Sequence, residues 1–76
     1  MVEIVKALMS EIFVCSVDQI SESTMRADLD NWDSLQHMIF VSRLETEFKV
    51  EFSPEEINDI DSYTQVIEQL NRKLNN

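Results

Sequence analysis

Four stretches of the chain carry apolar residues at helical spacing, separated by polar and turn-forming residues. Val5, Leu8 and Ile12, with Ile4 and Val14 beside them, make one stripe, and Glu3, Lys6 and Ser10 fall opposite; the pattern predicts an amphipathic helix over about residues 2–14. From Cys15 to Trp32 no period is sustained, yet Val17, Ile20, Met25, Leu29 and Trp32 recur singly. Structureless loops beyond about 12–15 residues are uncommon in compact domains. These spaced residues therefore predict an ordered crossing over a bundle, joining two packed helices. From Leu35 the helical period returns, with Phe40, Val41, Leu44 and Phe48 on one stripe.

Ser53, Pro54, Glu55 and Glu56 read as N-cap, N1 proline and capping-box glutamate of a short third helix with apolar contacts at Ile57 and Ile60. Such a helix is too short to stand without tertiary packing and is expected to be a mobile flap. Ser62 and Gln65 repeat the capping-box spacing before a last helix, with Tyr63, Val66, Ile67, Leu70 and Leu74 inward. Arg72 and Lys73 suit its C-terminal end, where the dipole favours cations.

The joint before the second helix carries the chemistry. Asp33 is a good N-cap, and Gln36 is placed to return a bond to the cap's backbone as a capping-box variant. Ser34 then lies in the first turn, facing outward. The first N–H groups of a helix lack intrahelical partners and, with the macrodipole, favour a phosphate there. A serine at that place can carry a phosphodiester.

Length and charge narrow the field. Seventy-six residues make a single domain, 1–76, with a core near the lower limit of what folds unaided. One cysteine excludes an internal disulfide, and Cys15 reads as a small, half-buried residue of a reducing compartment. The N-terminus has neither a basic region nor a long apolar run, so no signal peptide or membrane span is expected, and the reading is a soluble cytoplasmic protein. Net charge is −9, and residues 28–61 hold ten acids against two bases. That field repels nucleic-acid phosphates and attracts basic protein surfaces.

Asp33, Ser34 and Leu35, followed by the apolar helix ending Arg43, Leu44, Glu45, Thr46, Glu47 and Phe48, resemble the acyl carrier and peptidyl carrier proteins. The wider run from Trp32 to His37 is similar to the free-standing carriers of specialised pathways. The resemblance covers nearly the whole chain. It implies an all-α four-helix bundle of the acyl-carrier type, with three longer helices, a short third helix and a long first loop. It further implies a non-catalytic, monomeric carrier that holds acyl or aminoacyl groups as thioesters on 4′-phosphopantetheine esterified to Ser34, with Asp33 and Leu35 completing the attachment motif. The partners implied are a phosphopantetheinyl transferase drawing on coenzyme A, a loading ligase, and downstream synthases or transferases. No membrane or nucleic-acid partner is implied.

The departures from that family are informative. Its members usually have glycine just ahead of the serine motif and again after the second helix, and this chain has no glycine. Asn31 stands near the first place and is a good substitute where φ must be positive. Lys49 occupies the second and is expected to be a left-handed cap. Fatty-acid carriers usually present acids just after the motif and about two turns later; here Gln36 and Ile39 stand at the earlier places and Glu45 is retained. Docking should then be less electrostatic and more apolar. Candidate partner-binding residues are Gln36, Met38, Ile39, Ser42 and Glu45 on the second helix and Glu55 and Glu56 on the third. A cleft between those helices, lined by Phe40, Ile57 and Ile60, is a candidate shelter for an acyl chain.

Three other readings compete with this one. A serine hydrolase pairing Ser34 with His37 also needs an orienting group, an oxyanion hole and a closed pocket. His37 reads instead as a half-buried residue covering the core edge beneath the long loop, with a role in partner contact open. A calcium loop starting at Asp28, with Asp30 and Asp33, fails at its fifth, sixth and twelfth positions, where Trp32, Asp33 and Ile39 stand. No metal site is expected. An unmodified acidic helical adaptor that binds partner proteins is the alternative function.

Overall fold

The apolar stripes become four helices in the computed structural model, which describes residues 1–75: α1 Val2–Phe13, α2 Ser34–Phe48, α3 Pro54–Asp59 and α4 Tyr63–Leu74. Three longer helices and one short one form the all-α bundle that the resemblance implies. None of these helices is long and apolar enough to cross a membrane.

α1 buries Val5, Leu8, Met9, Ile12 and Phe13, while Ile4 and Val14 are 43% and 74% exposed. The expected stripe of Val5, Leu8 and Ile12 is thus buried, and Met9 and Phe13 widen it on the side away from Ile4 and Val14. α1 is apolar on most sides, so its period alone does not select a face. Phe13 selects it, stacking on Trp32 at 4.6 Å and meeting Phe40 edge-on at 5.1 Å. Aromatic clusters of this kind bury more area than a valine or isoleucine. Val14 ends the helix in the left-handed region, φ 52°, with its N–H on the Ser10 carbonyl.

The segment between α1 and α2 is ordered, as its spaced apolar residues require, and contains two 3₁₀ turns, Val17–Gln19 and Arg26–Asp28. Ser16 and Gln19 close a capping box around the first, and Asp28 accepts from the Met25 N–H across the second. Ile20 and Trp32 are buried and Leu29 is half-buried, but Val17 and Met25 are exposed. Met25 is held by backbone instead of side chain. It pairs with Ser62 in an isolated antiparallel bridge, with Arg26 N–H donating to the Asp61 carbonyl and Tyr63 N–H to the Thr24 carbonyl.

α2 buries His37, Phe40, Val41 and Leu44. Phe48, at its end, is only half-buried. Lys49 follows in the left-handed region, φ 56°, as expected. Asn31 does not: among the described residues only Val14 and Lys49 have positive φ. Its amide instead donates to the Phe13 carbonyl at 3.2 Å, so Asn31 serves through its side chain.

α3 begins with the complete capping box expected of Ser53 and Glu56, yet none of its own residues is fully buried. Ile60, one residue past its end, is wholly buried. In α4, Ser62 accepts from the Gln65 N–H, and Tyr63, Val66 and Leu70 are buried. Leu74, expected inward, is 46% exposed. It stands in the final turn, past Leu70, and the polar Gln69 is buried in the face instead.

Candidate functional site

Ser34 is the first residue of α2, and the start of that helix is held from three directions. Asp33 Oδ1 accepts from the Gln36 N–H at 2.8 Å, the N-cap bond expected of this pair. The Gln36 side chain does not return to the cap, as the capping-box reading required. Its Nε2 donates to the Ile12 carbonyl at 2.8 Å, because the last carbonyls of α1 lack intrahelical partners and lie within its reach. Asn31 takes the neighbouring Phe13 carbonyl. Residues on both sides of Ser34 thereby grip the end of α1, and Trp32 packs its ring into the core between them.

What this leaves free is the serine itself. Ser34 is exposed, and the N–H groups of Ser34 and Leu35 have no intrahelical acceptor. No acidic side chain lies in the first turn, and the Asp33 carboxylate is already spent as the cap. An exposed hydroxyl, two unpaired N–H groups and the positive end of a fifteen-residue helix fit a phosphodiester well.

Beside Ser34, Leu35, Met38 and Ile39 are 71%, 50% and 41% exposed. With Ser42, also exposed, they lie at i, i+3, i+4 and i+7 and share one face of α2. The remaining candidate contacts are placed differently. Gln36 is half-buried against α1, and the Glu45 carboxylate accepts from the Phe52 N–H at 2.9 Å, bracing the turn after α2. Glu56 holds both its capping box and Lys73 Nζ at 2.8 Å. That lysine, before the Ser53 backbone, keeps the Glu56 carboxyl below its ordinary range. Glu55 is exposed on α3. The cleft sketched between α2 and α3 is closed, since Phe40 and Ile60 have no exposed surface.

His37 departs most from its sequence reading. It is buried, not half-covered, which removes it from partner contact. Trp32 Nε1 lies 2.8 Å from His37 Nδ1, and His37 Nε2 lies 2.9 Å from the Ile57 carbonyl. With both nitrogens occupied, the ring is not a base for Ser34. Burial pushes its pKa down, the Ile57 bond opposes, and Arg26 adds to the lowering. The sequence reading missed this pair, whose one signal is a lone tryptophan five residues before a lone histidine.

A family model described as a phosphopantetheine attachment site matches residues 3–70. Comparison with individual curated proteins gives no match.

Proposed function

Because the chain belongs to the phosphopantetheine-attachment family, that of the acyl and peptidyl carriers, we propose that Ser34 bears the 4′-phosphopantetheine arm. The family is one of non-catalytic carriers, and the prosthetic group is covalently attached. The observation that supports Ser34 is its exposure at the first position of α2, in a turn locked to α1 by Asn31 and Gln36. A transferase must reach the hydroxyl with coenzyme A, and a rigid, protruding first turn presents it without rearrangement. Asp33 fixes that turn, and Leu35 stands at the rim as the first apolar contact.

The arm, when attached, supplies a thiol that holds cargo as a thioester. Tethering raises the effective concentration of that cargo at each docked enzyme. We read residues 1–76 as one monomeric domain that carries acyl or aminoacyl groups in a dedicated, fatty-acid-like or specialised pathway. Leu35, Met38, Ile39 and Ser42 form its partner face, with Glu55 adding charge. The apolar character of that face supports a dedicated partner set over the acid-driven docking of fatty-acid synthesis.

Intact mass spectrometry after incubation with coenzyme A, magnesium and a broad-specificity phosphopantetheinyl transferase tests this reading. The parent should gain one phosphopantetheine and Ser34→Ala none. No gain by the parent, with a transferase active on another carrier, would leave the unmodified adaptor as the function.

A further inference from the structure

An indole N–H only donates, so His37 Nδ1 is the acceptor in its bond with Trp32. The single proton of the neutral ring is therefore on Nε2, which donates to the Ile57 carbonyl. Only the neutral imidazole in this one tautomer satisfies both neighbours. A second proton on Nδ1 would set two N–H donors against each other at a position 5% exposed.

The groups at the two ends of this bridge matter. Trp32 stands two residues ahead of Ser34, and its carbonyl accepts from Arg26 Nε at 3.1 Å. Ile57 belongs to α3, a six-residue helix with no fully buried side chain, and its carbonyl, which also accepts from the Ile60 N–H at 3.3 Å, has a second lone pair for the ring. The Glu56 carbonyl next to it accepts from the buried Gln69 Nε2 at 3.1 Å. Polar side chains of α2 and α4 thus clasp α3, and one of them is a ring that also holds the flank of Ser34.

We propose that His37 is a positioning residue for the Ser34 segment and an acid-sensitive clasp. Neutral, it holds Trp32 and α3 together; protonated, it keeps Ile57 and releases Trp32. The link to modification rests on Ser34 as the attachment residue, whereas the clasp itself does not.

The charges around the ring favour this direction. Arg26, from the crossing segment, opposes an imidazolium. On α3, Glu56 precedes Ile57 but is paired with Lys73 of α4, and Gln69 of α4 is uncharged. α1 contributes the apolar Phe13, and on α2 the Asp33 carboxylate is bound to its own cap. Release therefore falls below pH 6.5, the ordinary histidine value, where Glu56 is still ionised.

Trp32 and His37 are the only tryptophan and histidine, so each reports alone. The test follows Trp32 fluorescence and hydrogen exchange of its indole N–H from about pH 7.5 to 5, in the parent and in His37→Gln, with helicity recorded in parallel. A carboxamide offers one acceptor and one donor and does not titrate. The parent should show a one-proton step below pH 6.5 at constant helicity, with the step absent from His37→Gln. The rate of phosphopantetheine gain, as parent over His37→Gln, should fall through the same step by about threefold or more. A step shared by both proteins, or one that coincides with loss of helix, would overturn the proposal. Should His37→Gln not fold, the parent decides alone: imidazole nitrogen shifts that titrate together with indole exchange support the clasp, and shifts that titrate without it refute the clasp. No modification of either protein at any pH would refute the Ser34 reading and leave the clasp to the fluorescence result.

Discussion

Val14 and Lys49 hold left-handed backbone without glycine's freedom, at φ 52° and 56°. That conformation costs an L-residue about 1–2 kcal/mol, and a β-branched side chain fits it least well. Val14 is 74% exposed, so replacing it forfeits little burial. Val14→Gly should raise Tm, against the entropy of about 0.4–1 kcal/mol that glycine adds to the unfolded chain. Lys49→Gly should raise it less. A net gain near 0.5–1 kcal/mol corresponds to a few degrees, at roughly 4–8 °C per kcal/mol for this size. Lower melting temperatures for both variants in thermal scans would show that the unfolded-chain entropy dominates. Lys49 was legible because it occupies the place after α2 where the carriers that the chain resembles usually have glycine. Val14 was not, because nothing in an apolar run marks valine as a stop; the turn is imposed by Phe13 entering the aromatic cluster and by Asn31 reaching back from the far end of the crossing segment.

Among the elements, the starts of α2, α3 and α4 could be read because an N-cap is a local rule: Asp33, Ser53 and Ser62 each accept from the N–H three residues on. The place of Ser34, the proposed attachment residue, at the first turn was legible for the same reason, since Asp33 fixes where α2 begins. What fastens α3 was not legible. Its partners His37 and Gln69 are 20 and 13 residues away in sequence from the carbonyls they hold, and no spacing rule links them. Removing the local cap and removing the distant ion pair of Lys73 with Glu56 should likewise have different signatures. Ser53→Ala should cost about 1 kcal/mol in denaturant unfolding, the usual loss for a cap. Lys73→Met should cost less than about 1 kcal/mol at neutral pH, because this ion pair is partly solvated. Its mark lies in acid. Glu56 is depressed in the folded state, so its contribution is present above pH 4.5 and is lost as pH falls through the folded value. Lys73→Met should flatten that acid limb and return the Glu56 carboxyl, followed by NMR titration, toward its ordinary range.

For the whole molecule, two electrostatic effects run in opposite directions with pH. The chain carries −9, and residues 28–61 hold ten acids against two bases, so the folded state repels itself at neutral pH. Only three ion pairs are formed among the described residues: the N-terminus with Glu3, Arg43 with Glu11, and Lys73 with Glu56. Sodium chloride should accordingly raise Tm, with most of the gain complete near 0.15 M, where the screening length is about 8 Å. Mild acid relieves the same repulsion, yet it acts against His37. The folded pKa of His37 lies below its unfolded value, so the neutral ring's contribution is full above pH 6.5 and is lost as pH falls through the folded value. Subtracting the Tm of His37→Gln from that of the parent at each pH removes the shared charge effect and leaves the histidine alone. That difference should decline below pH 6.5 at both low and high salt, since the ring is buried and weakly screened. If salt abolished the decline, the pH dependence would belong to the surface charge and not to the Trp32–His37–Ile57 bridge.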